Sequence, residues 1–372
     1  MKKIGIMSMQ RIANYGSFLQ AFALKQLLLQ MGDEVEFVDY HVQKPVLTDS
    51  SENSGPLVRK IIKGMDALKI RSSFYQKIQF ICFKQSFQKK YLPLLGVSKT
   101  MNYTPYLDCL IIGSDEVFNC IQKNSNVGYS LELFGENNNA KRLISYAASF
   151  GNTTVEKLQK YHKDEEISIL LKNFDQISVR DKNSFNIVKK LTGKEPLCHL
   201  DPVLIYDYMN SCKLIPKIKV KERFLILYAY SGRITEKEAR WIFSYAQEKG
   251  LKIYAIGGIH QYCDRFINCS PFEVLAYFNN ADEVITDTFH GTIFSVITHR
   301  KFATIIRKSL EEEYGNEEKL TDLLERLQLD CRIAHKIENI RGINSEDIDY
   351  VKVNEIIASE RKRALQYLSN TV

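Results

Sequence analysis

The chain has 372 residues, of which 45% are hydrophobic and 26% charged, and its 51 Lys and Arg against 44 Asp and Glu leave a formal net charge of +7. That length exceeds one ordinary core and suits two domains, and that hydrophobic fraction excludes a disordered chain. A charge this modest does not by itself imply nucleic-acid binding, whereas it favours anionic substrates or a membrane surface.

No apolar run reaches the roughly eighteen residues needed to span a bilayer. The opening Met1-Lys2-Lys3-Ile4-Gly5-Ile6-Met7 is short for a signal peptide, and Gln10-Arg11 interrupts it without a small-residue cleavage site. A cytoplasmic protein is the expectation. Cys82, Cys109, Cys120, Cys198, Cys212, Cys263, Cys269 and Cys331 include no C-x-x-C pair, so neither a zinc cluster nor a disulfide framework is suggested. No metal and no cofactor is expected.

In chain order, Lys2 to Met9 reads as a strand. Asn14-Tyr15-Gly16-Ser17 follows, then a helix with Leu19, Phe22, Ala23, Leu27 and Leu28 at helical spacing, and a second strand over Val35 to Tyr40. This is a βαβ opening without the G-x-G-x-x-G of a dinucleotide site. Asn14 and Ser17 have two readings, helix cap and ligand contact. From Leu57 to Lys90 the chain becomes helical and basic, with Arg59, Lys60, Lys63, Lys69, Lys77, Lys84 and others facing only Asp66 as an acid. Such an amphipathic stretch is either a solvated face or a peripheral contact with an anionic membrane.

Strands are then expected at Asp108–Ile112, ending in Gly113-Ser114-Asp115-Glu116, and at Arg142–Tyr146, ending in Ala147-Ala148-Ser149. A helix from Val155 to Asn173 leads to a strand at Gln176–Val179 with Arg180-Asp181 at its end, and a further helix spans Lys182 to Leu191. Asp201-Pro202 reads as a structural turn. The domain boundary falls between Ile205 and Glu222. A second βα series begins at Phe224–Tyr230, with Ser231-Gly232-Arg233 as its turn, and continues through helix Glu236–Lys249, strand Lys252–Ile256 and helix Pro271–Asn279. The remainder is strand Lys301–Ile306 and helices Glu317–Leu327 and Val353–Leu368.

Within that series Val284-Ile285-Thr286 breaks at Asp287-Thr288-Phe289-His290-Gly291 and passes into helix-period Ile293, Phe294, Val296 and Ile297. That order is strand, tight turn, helix, and the helix N-terminus puts His290 where anions are attracted. A lone His beside Phe289 is also readable as a satisfied turn histidine. Asp287 and Thr288 within one turn of it, and Gly291, which lets another group come close to the backbone, favour the functional reading.

Five patterns fall in one order: Asn14-Tyr15-Gly16-Ser17 with Leu19-Gln20-Ala21, Gly113-Ser114-Asp115-Glu116-Val117-Phe118, Ile144-Ser145-Tyr146-Ala147-Ala148-Ser149-Phe150-Gly151, Ser178-Val179-Arg180-Asp181, and Thr286-Asp287-Thr288-Phe289-His290-Gly291. Together they resemble the polysaccharide pyruvyl transferase family. The resemblance implies two Rossmann-like domains facing a cleft, similar to the GT-B glycosyltransferase fold, and transfer of the pyruvyl group of phosphoenolpyruvate to sugar hydroxyls as a ketal. It implies an acceptor-side domain at 1–205 carrying the basic insertion at 57–90, a phosphoenolpyruvate-side domain at 222–335, and a tail at 336–372 packing back on the first. The partners implied are phosphoenolpyruvate as co-substrate and a saccharide acceptor of a cell-surface polysaccharide, free or lipid-linked.

Two departures stand out. Relatives typically show Gly-Ser-Asp-Gln-Val-Trp, where this chain has Glu116 and Phe118. Many show Asn-Ser-Arg before the final helix, where this chain has Asn316-Glu317-Glu318-Lys319. Arg307, Lys308 and Lys319 are the cations placed to substitute. Chemically, Arg180 has the planar fork that binds a carboxylate or a phosphate, although a salt bridge to Asp181 or Asp201 is its alternative. His290 is the expected proton donor to the enol carbon, with Asp115 and Glu116 positioned either to handle the sugar hydroxyl or to cap backbone N–H groups. Asn14, Tyr15, Ser149, Thr288 and Gly291 complete the expected substrate contacts. A nucleotide-sugar glycosyltransferase of the same architecture and a non-catalytic saccharide-binding relative remain the rival readings.

Overall fold

The computed structural model describes residues 1–47, 72–308 and 316–372. Two parallel sheets of six strands each organise the chain. The first comprises β1 (Lys3–Met7), β2 (Glu34–Phe37), β3 (Tyr106–Asp115), β4 (Asn139–Ala148), β5 (Ser178–Val179) and β6 (Leu197–Cys198), ordered β2-β1-β3-β4-β5-β6. The second comprises β7 (Phe224–Tyr228), β8 (Lys252–Ile256), β9 (Arg265–Phe266), β10 (Glu283–Thr286), β11 (Lys301–Ile305) and β12 (Ile333–Ala334), ordered β12-β11-β10-β7-β8-β9. The fold is α/β, with two Rossmann-like halves facing a cleft. The central strands read as unbroken apolar runs because helices cover both of their faces. All five residues of β7, for instance, are buried.

Helix α1 (Tyr15–Gln30) follows β1 and is buried along most of its length. It lies between the halves: Phe18 and Phe22 meet Phe272 edge-on, with ring centroids 5.8 and 4.9 Å apart. Helix α2 (Phe74–Leu95) packs Phe83 and Phe87 against Tyr15 and reaches Phe266 on β9. Of the basic stretch expected at 57–90, the residues through Arg71 lie outside the described ones, and the remainder begins α2. Lys84 there donates to the Ala13 carbonyl at 3.3 Å, and burial lowers its pKa.

The helix expected over Val155–Asn173 is two, α3 (Val155–Lys160) and α4 (Asp164–Leu171). His162 takes a positive φ of 54°, and Lys163 N–H returns to the Leu158 carbonyl, a left-handed closure that ends α3 without a glycine. Helix α5 (Lys182–Thr192) is capped by Asp181, and a short α6 (Pro202–Ile205) by Asp201. The chain then crosses to β7. Helices α7 (Glu236–Glu248), α8 (Pro271–Asn280) and α9 (Phe289–Ile297) flank the second sheet, and α10 (Glu317–Arg326) follows β11.

The last helix, α11 (Tyr350–Thr371), starts against the second half, where the Tyr350 hydroxyl donates to the Arg300 carbonyl, and ends on the first. There Tyr367 donates to the Ser145 carbonyl at 2.8 Å and Arg361 to the Ile205 carbonyl. One apolar core is therefore continuous from Ile4 and Phe18 through Phe272 and Phe294 to Leu368. Among the described residues no helix is long and apolar enough to cross a membrane.

Candidate active site at the facing sheet crevices

Ligands of open α/β sheets bind beyond the carboxyl ends of the strands, where the strand order reverses. In the first sheet the reversal lies between β1 and β3, and in the second between β7 and β10. The two crevices face each other across a cavity of about 60 Å³. The turn after β1 supplies Asn14 and Ser17, that after β3 Asp115 and Glu116, and that after β5 Arg180. From the other half come Tyr230 and Arg233 after β7, Asp287 to His290 after β10, and Lys319 from α10.

His290 sits in the first turn of α9. Thr288 caps that helix, its Oγ1 accepting from Gly291 N–H at 2.9 Å. The imidazole crosses to the first half and packs on Gly16 of α1, where a Cβ would stand 2.2 Å from Nδ1. Only glycine leaves that space. Nε2 lies 3.5 Å from Asp201 Oδ2, an ion-pair distance, and is a buried nitrogen without a hydrogen-bond partner.

Asp201 is fully buried at the N-cap of α6, accepting from Val203 N–H. Burial alone would raise its pKa, but His290 and Arg180 outweigh that and bring it to about 2.

Arg180 is 3% exposed. Its Nη1 donates to Asp201 at 2.9 Å and stands 3.6 Å from Asp115, while its guanidinium lies 4.2 Å over the Phe289 ring. Burial opposes its charge, yet Asp201, Asp115 and Asp181 hold it more firmly protonated than usual. Of the two salt bridges anticipated, the one to Asp201 forms. Asp181 is instead occupied as the α5 cap, accepting from Ser184 N–H and from Ser149 Oγ. Arg180 Nε has no hydrogen-bond partner.

Asp115 adopts a positive φ of 79°, accepts from Ser17 Oγ at 2.8 Å and from Glu116 N–H at 2.9 Å. Glu116 accepts from Lys319 Nζ at 2.8 Å and from Asn119 Nδ2 at 2.9 Å. The buried Asp287 carboxylate faces Arg307 at 3.3 Å and Arg233 at 3.9 Å; desolvation raises its pKa against both arginines. Its carbonyl accepts from Asn316, which also accepts from Arg307 N–H. Arg307 is committed further to Glu238, and Lys308 is exposed away from the cavity, so of the three substitute cations Lys319 is the one that lines it.

The remaining expected contacts divide. Asn14 caps α1 with its Oδ1, as one of its readings had it, and donates with its Nδ2 to Tyr230 Oη across the cleft at 2.9 Å. Thr288 lines the cavity. Tyr15 does not reach it: the ring is in the core between the halves and its hydroxyl donates to the Cys269 carbonyl. Ser149 is fully buried behind Asp181. Gly291 is pressed against Thr286 and Thr288, where a Cβ would come within 2.2 and 2.7 Å of their hydroxyl oxygens.

Sequence reasoning read Asp201 as a turn and Arg233 as part of one, and did not single out Tyr230. For Asp201 the signal was present, since Asp before Pro is both a turn and a strong N-cap. Nothing local pointed to the others.

The cavity opens into a groove of about 880 Å³, walled by Arg11, Lys84, Gln88, Asn119 and the Gln122–Val127 turn. Asp115, Glu116, Tyr230 and Lys319 line both spaces. Among the described residues no cluster of three or more His, Cys, Asp or Glu is arranged to hold a metal ion.

The family model for polysaccharide pyruvyl transferase matches residues 14–309. No curated protein gives a significant sequence match. Among solved structures, the chain is similar to the UDP complex of MnaA from S. aureus, at 11% identity and TM-score 0.48, covering 100% of this chain and 98% of that one. It is similar also to UDP-GlcNAc 2-epimerase from Neisseria meningitidis bound to UDP-GlcNAc, at 10% identity and TM-score 0.45, covering 100% and 99%.

Proposed function

Since the chain belongs to the polysaccharide pyruvyl transferase family, we propose that it moves the pyruvyl group of phosphoenolpyruvate onto two hydroxyls of a saccharide, forming a ketal and releasing phosphate. The observation that carries this reading is the enclosed end of the cleft. There Arg180, Arg233, Lys319 and the N-terminus of α9 converge with His290 on a space of about 60 Å³. A water needs roughly 10–15 Å³ by the same measure, so the space suits a small anion such as phosphoenolpyruvate rather than a nucleotide. The wide groove beside it, with amides and hydroxyls on its walls, suits a sugar chain.

In this reading His290 protonates the methylene carbon of the enol, which leaves a cation-like centre at the carbon bearing the carboxylate and phosphate. A sugar hydroxyl attacks that centre and loses its proton to Asp115, which stands where cavity and groove meet. Phosphate then leaves with the proton that Asp115 took up, and the second hydroxyl closes the ketal as it returns a proton to His290. Arg180 holds the donor's carboxylate or phosphate as its fork exchanges Asp201 for substrate. A cytoplasmic enzyme acting on a lipid-linked acceptor at the membrane face fits the same reading.

The test is to incubate the protein with phosphoenolpyruvate and saccharide acceptors, free and lipid-linked, following phosphate release and the mass of a pyruvate ketal. Protection against melting by nucleotide sugars but not by phosphoenolpyruvate would favour a glycosyltransferase instead.

A further inference from the structure

Helix α2 turns one side inward. Gln76, Phe83 and Phe87 are buried at helical spacing, with Phe80 partly buried among them. Phe80 and Phe83 pack on Phe266 of β9, and Phe87 packs on Tyr15 and Phe18 of α1. On one flank Lys84 and Gln88 donate to the Ala13 and Arg11 carbonyls and wall the wide groove.

The opposite side of the helix is apolar and open. Phe74, Ile78 and Ile81 stand at i, i+4 and i+7, one stripe of a helix, and Tyr75 adjoins them. Phe74 and Tyr75 are 74% and 68% exposed. Among the described residues no other helix exposes more than one large apolar side chain. Exposed apolar residues scattered singly are ordinary, whereas a contiguous set of them marks a surface that meets a partner.

Charge indicates which partner. Phe74–Leu95 carries four lysines and no Asp or Glu. Lys89 lies two turns beyond Ile81 on the same side, and both it and Lys90 are exposed. A second copy of the chain meeting this face would oppose like charges. An anionic bilayer offers headgroups of the opposite sign and, directly beneath them, an apolar layer for Phe and Ile and an interfacial level suited to Tyr.

We propose that the outward face of α2 docks on an anionic membrane, with Phe74, Tyr75, Ile78 and Ile81 entering the headgroup boundary and Lys89 and Lys90 lying against the lipid phosphates. Because a flank of the same helix walls the groove, docking holds the groove beside the bilayer. Resting on the function proposed above, this puts it within reach of a saccharide borne on a membrane lipid.

The test uses the full chain and vesicles of phosphatidylcholine with or without phosphatidylglycerol. Wild type should sediment with the anionic vesicles and not with the neutral ones. Phe74→Ser/Ile78→Ser/Ile81→Ser should weaken that binding roughly tenfold or more, through apolar area no longer removed from water. Lys89→Gln/Lys90→Gln should weaken it about twenty-five-fold, on the order of fivefold for each charge near the surface, with the difference shrinking as salt is added. Both variants should melt close to wild type, since the altered side chains are exposed, and Ile169→Ser, an exposed apolar residue on α4, should bind vesicles normally. Phe74→Trp should shift its emission to the blue on anionic vesicles, which adsorption by charge alone would not produce. Native binding in the triple variant, or an unmoved emission in Phe74→Trp, overturns the proposal. Self-association of the wild-type chain without vesicles, abolished by the same serine substitutions, assigns the face to a second copy and also overturns it. Vesicle binding needs no turnover, so its failure leaves the donor reading standing, whereas absence of turnover with phosphoenolpyruvate in a chain that binds vesicles is a failure of the donor reading alone.

Discussion

The two walls of the cleft are built alike and charged differently. The first half lines it with Asp115 and Glu116 beside Arg180, with Asp201 buried behind them, and the second with Arg233, His290 and Lys319 around Asp287, with Arg307 behind it. Two pairs approach across the gap, Glu116 with Lys319 at 2.8 Å and Asp201 with His290 at an ion-pair distance of 3.5 Å. Buried charges left unpaired are costly, so these cross-cleft pairs stabilise the facing walls. Under the proposed function, these pairs keep the cations ordered before an anionic donor arrives.

The largest effect should follow from removing the carboxylate that serves both walls. Asp201→Asn leaves Arg180 without its 2.9 Å partner in a site with 3% exposure, and breaking a buried pair in this way costs on the order of 3 kcal/mol. The sign with pH is fixed by the depressed pKa. A carboxylate at about 2 when folded stabilises fully above its unfolded value near 4 and loses that contribution as pH falls through 2. Melting curves of wild type and Asp201→Asn should therefore differ most at neutral pH and converge towards pH 2. A constant gap across the range would show that Asp201 matters by shape rather than by charge.

Next in size are the kinetic defects that distinguish the walls. His290→Gln should leave phosphoenolpyruvate affinity nearly intact and cut turnover by roughly a hundredfold or more. Arg180→Lys keeps the charge and loses the fork, and it should weaken phosphoenolpyruvate binding by about 1–3 kcal/mol. Near-native turnover in His290→Gln, or a loss lying wholly in affinity, would make the second wall an anion clamp without proton chemistry.

How far these walls could be foreseen depended on how local their signals are. The strand-turn-helix around His290 was legible because apolar periodicity switches from strand to helix within a few residues, and Thr288 at the N-cap confirms it. The central strands were legible for the same reason. Two-residue edge strands such as β9 and β12 carry no period to read. Tyr15 was misleading: it stands in the same motif as Asn14, yet on an almost wholly buried helix it turns to Cys269, and only the packing of α2 and the second half decides that. Asp201 was read as a turn and as an alternative partner of Arg180, but its approach to His290 comes from the other half and was not legible; Tyr230 was missed because its partner Asn14 lies across the cleft.

The histidines away from the cleft offer a control on its charge. His199 is buried against Tyr146 and Tyr367, with Ser178 Oγ 2.8 Å from Nδ1, and His260 Nε2 donates to the Ala229 carbonyl. Burial lowers both pKa values to about 4 from an ordinary 6.5. A histidine held neutral when folded binds fewer protons than the unfolded chain between those values, so stability falls as pH drops from 6.5 towards 4. The melting temperature should decline through that window and flatten in a His199→Gln/His260→Gln variant. An unchanged decline would move its source to the cleft.

The smallest expected effect tests whether charge, rather than contact, is what joins the walls. Asn14 and Tyr230 also meet across the cleft, at 2.9 Å, but as a neutral pair. Tyr230→Phe removes that hydrogen bond while sparing the cap of α1, which uses the other atom of the Asn14 amide. A neutral hydrogen bond contributes about 1 kcal/mol, and with Tyr230 38% exposed, water can replace it. Tyr230→Phe should therefore lower the melting temperature slightly and leave KM for phosphoenolpyruvate within a few fold of wild type, well short of the loss in Arg180→Lys. Since Tyr230 also lines the groove, any larger change should fall on the saccharide. If instead Tyr230→Phe impairs donor binding as severely as Arg180→Lys, the walls are joined by fit rather than by charge.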